Sequence, residues 1–142
     1  MNNRKPSTVS RKPEKIQHFT DLDAWRINHE VVLEIYKATK KFPREERFGL
    51  IDQIRRAASS ITANIAEAWG RFHFADKIRF YYQARGSSAE VQNFLILAYD
   101  LGYLTEKELQ FLKEKIWQGF QVLNGLIRST EKRKSSTDKR KP

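Results

Sequence analysis

Apolar side chains recur at spacings of three and four residues in four successive segments between residues 19 and 129. In the last segment the apolar positions are Leu109, Leu112, Ile116, Phe120, Leu123 and Ile127. Such spacing places the apolar side chains on one face of an α-helix. Period-two alternation, which would indicate β-strands, is absent. The sequence therefore predicts an all-α protein, an antiparallel up-down-up-down four-helix bundle with short links.

The other three segments predict three further helices, each with its own apolar face. The first begins near Thr20 or Asp21, and its expected buried positions are Leu22, Trp25, His29, Val32, Tyr36 and Thr39. The second begins near Pro43 or Arg44, and its expected buried positions are Leu50, Ile54, Ala57, Ile61, Ile65, Ala68 and Phe72. The third carries Ile78, Tyr81, Tyr82, Val91, Phe94, Leu95, Ala98 and Leu101.

Turn and capping residues divide these helices. Gly70 and Gly102 follow the second and third apolar segments, where glycine commonly ends a helix. Thr105 and Glu108 have the spacing of a capping box at the start of the fourth helix. Gly86 lies inside the third segment, where we expect one continuous helix packed closely against small residues, although Ser87 and Glu90 would also fit a break.

Most of the net charge of +10 lies at the two ends of the chain. Residues 1–18 hold five basic residues and one acidic residue, and residues 128–142 hold seven basic and two acidic residues. Both ends are polar and lack apolar periodicity, so we expect residues 1–18 to be a disordered basic arm and residues 130–142 a disordered basic tail. Residues 19–129 would then form the bundle, which is close to neutral.

Basic residues also cluster in the middle of the chain, among the aromatic residues Phe72, Phe80, Tyr81 and Tyr82. Lysine and arginine bind phosphate by releasing counterions, and aromatic rings stack on bases, so RNA or DNA is the expected partner. The predicted nucleic-acid contacts are Arg55, Arg56, Arg71, Lys77, Arg85, Lys132, Arg133 and Lys134. The alternatives are that the tails only aid solubility, that the aromatic rings are core residues and that the arginines pair with acids.

A polar stripe runs along the second helix, where Ser60, Asn64, Glu67 and Arg71 recur at spacings of four, three and four. An antiparallel third helix would place Glu67 near Arg79, Asn64 near Tyr82 and Ser60 near Gly86. We therefore predict an ion pair of Glu67 with either Arg79 or Arg71, and a close approach of the helices at Ser60 and Gly86. The stripe is expected to be structural rather than catalytic.

Signatures of enzymes and metal sites are absent from the sequence. There is no cysteine, and His18, His29 and His73 form no cluster with ligand spacing. No glycine-rich phosphate loop or serine nucleophile motif occurs. We therefore expect no enzyme activity, no cofactor and no metal. No apolar run of about 18 residues and no signal sequence occur, so we expect a cytoplasmic protein without membrane contact.

Large aromatic side chains are more numerous than one slim bundle can easily bury. They include Trp25, Trp69, Phe80, Phe111 and Trp117. Some of them are expected to contact a second copy of the chain, which predicts a homo-oligomer.

Four ordered segments resemble a known family, the bacterial four helix bundle proteins, also called 23S rRNA intervening-sequence proteins. Residues 60–71, SITANIAEAWGR, resemble the family signature S-I-x-x-N-I-A-E-G-x-G-R, with Ala68 where the family usually has glycine. Residues 19–25 resemble F-x-D-L-x-x-W, and residues 48–57 resemble F/Y-G-L-x-x-Q-I-R-R-A. Residues 84–90 resemble A-R-G-S-x-x-E, and Gly102-Tyr103-Leu104 follows. The resemblance covers about residues 19–127.

The resemblance implies an antiparallel four-helix bundle that assembles as a ring, commonly a pentamer, and that has no established enzyme activity. Family members occur as reading frames inside intervening sequences of 23S rRNA genes. Related bundles are accessory proteins of retroelements and bind a reverse transcriptase and nucleic acid. We therefore expect one of two functions. The first is a nucleic-acid-associated homo-oligomer, and the second is a protein-interaction scaffold such as an accessory subunit of a reverse transcriptase.

Overall fold

The computed structural model describes residues 15–139, with side chains to residue 137, and over this range it consists of four α-helices without a β-strand. The helices are α1 (Asp23–Thr39), α2 (Leu50–Trp69), α3 (Phe74–Asp100) and α4 (Glu106–Lys139). Each helix packs against the next along the chain, and α1 also packs against α4. The predicted all-α protein of four helices is confirmed.

Short 3-10 turns precede α1 and α2, so both helices begin later in the sequence than predicted. Phe19–Asp21 forms one turn before α1, capped by the side chain of His18. Arg44–Glu46 forms the other, so α2 begins at Leu50 and the predicted start near Pro43 is wrong. The reason is the Glu46 carboxylate, which accepts a hydrogen bond from the Leu50 backbone N–H at 3.2 Å and caps α2 there.

The predicted link between α3 and α4 is confirmed in its details. Gly102 has a φ of +84°, a left-handed conformation that glycine adopts without strain. Thr105 Oγ1 accepts from the Glu108 N–H at 3.1 Å, while Glu108 accepts from the Thr105 N–H at 2.9 Å. This reciprocal capping box starts α4. Upstream, α3 is continuous through Gly86, as expected.

The apolar spacing correctly predicted most of the buried faces of α2 and α4. On α2 every predicted position from Leu50 to Ala68 is buried, and only Phe72, beyond the helix end, is exposed. On α4 only Phe120 is half-buried rather than buried. These two helices therefore contribute regular apolar faces to a single core.

The predicted buried face of α1 is wrong. The buried residues are Ala24, Asn28, Val31, Val32, Ile35 and Thr39, which share only Val32 and Thr39 with the prediction. Asn28 is buried because its side-chain amide donates to the Ala24 carbonyl at 2.8 Å and to the Gly119 carbonyl on α4 at 3.1 Å. Asn28 therefore lies at the centre of the buried face of α1. The rings of Trp25 and His29, which were predicted to be buried, stack on each other beside that face.

The prediction of a disordered tail from residue 130 is wrong for residues 130–139, because α4 continues to Lys139. Thr130 is buried, and its hydroxyl donates to the Leu126 carbonyl at 2.7 Å. One residue further, Glu131 accepts a hydrogen bond from the Tyr82 hydroxyl on α3 at 3.0 Å. The contact between Glu131 and Tyr82 holds the basic end of α4 against α3. The predictions for residues 1–14 and 140–142 lie outside the described residues.

Candidate nucleic-acid interface

The polar stripe on α2 is mostly bonded to itself. The Asn64 amide donates to the Ser60 carbonyl at 2.8 Å and to the Ser60 hydroxyl at 3.0 Å. Glu67 pairs with Arg71 at 2.8 Å, which is one of the two predicted ion pairs. The other pair is not formed, since Arg79 lies 3.9 Å from Asp76 instead.

Contact between this stripe and α3 is made by Ser87, whose hydroxyl donates to the Ser60 hydroxyl at 3.0 Å. The predicted close approach at Gly86 is wrong. A methyl group added to Gly86 would meet no other atom within 4 Å, because the glycine lies on the exposed side of α3. The helices therefore meet one residue further along, through two small hydroxyl side chains.

Two of the predicted phosphate-binding arginines have other contacts. Arg55 is half-buried between α1 and α2, where Nε donates to the Thr39 hydroxyl at 2.8 Å and Nη2 to the Tyr36 carbonyl at 3.3 Å. Its guanidinium also lies 4.6 Å from the centre of the Tyr36 ring. Arg56 is exposed and pairs with Asp52 one turn earlier at 3.0 Å. Neither Arg55 nor Arg56 therefore lies beside the other predicted nucleic-acid contacts.

Lys77 lies at the junction of α2 and α3. Its ammonium group donates to the Ala68 carbonyl at 3.2 Å and to the Trp69 carbonyl at 3.1 Å, and so caps the C-terminal end of α2. Burial, and secondly the nearby positive charge of Arg133, lower the pKa of Lys77 below its usual value of 10.5. The hydrogen bond from Tyr82 to Glu131 places the end of α4 close to the start of α3 in the same way.

Phe80 holds two guanidinium groups at the same junction. Arg71 lies 4.8 Å and Arg79 lies 4.6 Å from the centre of the half-buried Phe80 ring. An arginine stacked on a ring loses less freedom when it binds a further partner. The sequence analysis did not predict that Phe80 contacts these two guanidinium groups, although its position among arginines is consistent with such contacts.

Arg85 and Tyr82 join α3 to the second half of α4. Arg85 donates to the Asn124 side-chain oxygen at 3.0 Å, and its guanidinium lies 4.6 Å from the centre of the Tyr82 ring. The hydrogen bond to Glu131 is the main cause that raises the pKa of Tyr82 above 10.0. On α4, Lys132 and Arg133 are exposed beside this contact, and Lys134 is half-buried.

The structure therefore places Arg71 and Arg79 at one ring, that of Phe80, and places Lys77, Arg85 and Arg133 along the contact between α3 and α4. We call this set the basic face, and it consists of Arg71, Lys77, Arg79, Arg85 and Arg133. Three of its members come from the first half of α3, one from the α2–α3 link and one from α4. Lys132 is exposed on the same turn as Arg133, while Arg55 and Arg56 lie elsewhere on α2.

An exposed apolar surface lies on the opposite halves of α3 and α4. Trp117 is 55% exposed and Ile96 is 50% exposed, and both line a groove of about 300 Å³. Phe111 is exposed near the start of α4 and lines a second groove of about 470 Å³ between α1 and α4. Trp25, Trp69 and Phe80, from the same predicted set, are half-buried.

Metal-binding groups and membrane-spanning helices are both absent from the part of the chain that the structure describes. Within residues 15–139, no three histidine, aspartate or glutamate side chains come together as a possible metal site. Over that same range, no helix is both long enough and apolar enough to cross a membrane.

Fold and site together define an all-α protein of four long helices with a basic face at the α2–α3 junction. The chain belongs to the 23S rRNA-intervening sequence protein family, whose model matches residues 20–125. The last turns of α4, with Lys132 and Arg133, lie beyond the matched residues. The comparison with curated proteins found no match.

A solved structure supports the fold. It is described as a protein with unknown function from the S23 ribosomal protein family of Bacteroides thetaiotaomicron VPI-5482. The two chains are 24% identical, and the match covers 73% of this chain and 97% of that chain with a TM-score of 0.66. At this identity the similarity shows the fold and not the function.

Proposed function

We propose that this protein is a non-enzymatic homo-oligomer that binds nucleic acid, RNA in the first place, through the basic face. The observation that carries the proposal is the 3.0 Å hydrogen bond from Tyr82 to Glu131, because it holds the basic end of α4, with Lys132 and Arg133, against the basic start of α3. Like charges in proximity repel each other, and an anion placed between them relieves that repulsion. A phosphate backbone supplies such anions at regular intervals.

The acidic residues near the basic face do not prevent phosphate binding. Glu67 pairs with Arg71, and Asp76 lies near Arg79, but all four side chains are at least two-fifths exposed. Exposed ion pairs of this kind contribute only about 0–1 kcal/mol each. A phosphate oxygen can therefore compete for either guanidinium, and Arg133 and Lys132 add positive charge from α4.

Self-association is supported by the exposed apolar side chains Ile96, Phe111 and Trp117. A ring, with five copies as the family resemblance implies, would cover them and repeat the basic face around its axis. Within one copy, an antiparallel up-down-up-down arrangement is supported by contacts that join the end of one helix to the start of its neighbour. These contacts include Trp69 with Lys77, Glu131 with Tyr82, and Lys41 with Glu108.

Fluorescence anisotropy with a labelled single-stranded RNA tests nucleic-acid binding. The test variant carries Lys132→Gln and Arg133→Gln, and the control carries Lys40→Gln and Arg44→Gln, two exposed residues at the end of α1 and in the turn before α2. Both variants lose two positive charges, so an effect of net charge alone would be equal in the two. We expect the test variant to bind more weakly than the control.

The outcomes distinguish nucleic-acid binding from a role as a protein-interaction scaffold. Equal affinities of the two variants would contradict a contact at the basic face. Absence of RNA and DNA binding by the wild-type chain at low salt would contradict the nucleic-acid function altogether. In that case the groove at Ile96 and Trp117 favours a protein-interaction scaffold, such as an accessory subunit of a reverse transcriptase.

Native mass spectrometry tests self-association. Trp117→Glu places a charge in the exposed apolar groove without removing a buried side chain, since Trp117 is more than half exposed. We expect wild-type protein to give one oligomeric species, five copies in the proposed ring, and the variant to dissociate. A wild-type monomer at micromolar concentration would contradict the proposal.

A further inference from the structure

We infer that the nucleic acid bound at the basic face is single-stranded, and that the ring of Phe72 stacks on one of its unpaired bases. This inference rests on the proposed nucleic-acid function and assigns a substrate class to it. The residues that carry it are Phe72, on the link between α2 and α3, and the two arginines held by Phe80.

Phe72 is 89% exposed, which is unusual for so large an apolar side chain. It follows Arg71 directly and is set edge-on to the exposed His73 ring, with 5.1 Å between the ring centres. No residue of the core covers it, because α2 ends at Trp69 and α3 begins only at Phe74. The ring is therefore available on a link between two helices, directly after Arg71 in the chain.

Arg71 and Arg79 lie where they can hold phosphate groups near this ring. Both guanidinium groups lie within 5 Å of the centre of the Phe80 ring, which limits the directions they can take. Guanidinium groups bind phosphate through two parallel hydrogen bonds and use this planar geometry better than an ammonium group would. An exposed ring beside two oriented phosphate-binding groups is the combination found in proteins that bind single strands.

A duplex would use only part of this surface. Its bases are paired and stacked inside the helix, so a phenylalanine ring beside the backbone has no base face to contact. The arginines could still bind duplex phosphates, with an affinity that depends on charge alone. Phe72 should therefore matter for a single strand and not for a duplex, which gives the inference a specific test.

Phe48 provides a matched control. It is 87% exposed and lies 5.4 Å from the Arg47 guanidinium, so it has the same side chain and a similar neighbour. It precedes α2, whereas Phe72 follows it, and the 20 residues of α2 separate them by roughly 30 Å. Neither alanine substitution removes a buried side chain, and circular dichroism would verify that both variants are folded.

The experiment measures anisotropy with labelled oligouridylate and with a labelled RNA duplex of equal length, for the wild type and for Phe72→Ala, Phe48→Ala and Phe72→Trp. We expect Phe72→Ala to weaken oligouridylate binding about 5-fold or more, the loss of one base stack. The Phe48→Ala variant should stay within about 2-fold of wild type, Phe72→Trp should retain binding, and duplex affinity should change little in all variants.

The results distinguish this inference from the proposed function. If the wild type binds oligouridylate and Phe72→Ala binds it equally well, the stacking inference is refuted while the nucleic-acid function stands. An equal loss for single strand and duplex would also refute it, since stacking would not explain the duplex result. If the wild type binds neither RNA, the nucleic-acid function fails and the inference fails with it.

Discussion

Substitution of Gly119 by alanine should destabilise the protein, although the same change stabilises most helices. Gly119 lies in the middle of α4 and contacts the buried Asn28 of α1. A methyl group on Gly119 would lie 2.4 Å from Asn28 Oδ1 and 2.9 Å from its Cγ. Either distance is too short for a real contact, so the Asn28 amide would have to move.

Two opposing effects decide the magnitude. Alanine in place of glycine inside a helix gains about 1 kcal/mol. Overpacking a core position costs about 1–3 kcal/mol, and a buried amide that loses its hydrogen bonds costs about 1–3 kcal/mol more. Asn28 would lose its bonds to the carbonyls of Ala24 and Gly119 if it moved. We therefore expect a net loss of about 1–5 kcal/mol in the free energy of unfolding.

Urea denaturation followed by circular dichroism measures this difference, and Gly125→Ala is its control. Gly125 lies on the same helix, and its added methyl group would meet only Arg128 Nη2 at 3.9 Å, an ordinary contact. The control should gain up to about 1 kcal/mol. If Gly119→Ala were as stable as Gly125→Ala, the packing of α1 on α4 through Asn28 would be refuted.

Three further predictions concern contacts that join distant parts of the chain. Glu46→Gln should lower the pKa of Tyr103 toward its usual 10.0, because the 2.8 Å hydrogen bond to Glu46 is the main cause that raises it. Because the pKa of Tyr103 is raised, the contact stabilises the fold below pH 10, and this stabilisation is lost as the pH rises through the folded-state pKa. NMR titration of labelled tyrosine would measure the pKa in the wild type and in the variant. Arg133→Gln should raise the pKa of Lys77 only part of the way to 10.5, as measured by NMR of labelled lysine, because burial is the larger cause of the shift. Arg55→Ala should cost about 1.5–3 kcal/mol in urea denaturation and leave RNA affinity unchanged, since its donors bond to α1; a clear loss of RNA affinity in a folded variant would contradict this assignment.

The apolar periodicity was sufficient to predict α2 and α4 because their buried faces are made almost wholly of apolar residues. The face of α1 could not be predicted in this way, since its centre is Asn28. That residue is buried only because a carbonyl on α4, 91 residues away in sequence, accepts its hydrogen bond. Local spacing contains no information about such a partner.

The helical continuation of α4 was missed for a similar reason. Residues 130–139 are polar and basic, a composition that also fits disorder. The contacts that hold them are the buried Thr130 and the Glu131 carboxylate, and the latter bonds to a tyrosine 49 residues earlier. The helix extension therefore depends on tertiary contacts rather than on composition.

Of the interface, the sequence predicted which residues are basic but not which remain available. Arg55 has the same charge as Arg133, yet its donors bond to the end of α1, whereas Arg133 is exposed on α4. The exposure of Phe72 was also missed, because the spacing extended the apolar face of α2 beyond the end of the helix. Whether such a residue is exposed depends on where each helix ends and on which helix it contacts, and apolar spacing predicts neither.

The salt dependence of RNA binding tests the central claim most directly. For a single strand, the logarithm of the binding constant falls with the logarithm of salt concentration by about 0.7 for each phosphate contact. Lys132→Gln with Arg133→Gln should therefore reduce the slope by about 1.4, while Lys40→Gln with Arg44→Gln should leave the wild-type slope unchanged. Equal slopes for both variants, or no measurable binding by the wild type, would contradict a nucleic-acid interface formed by α4 and the start of α3.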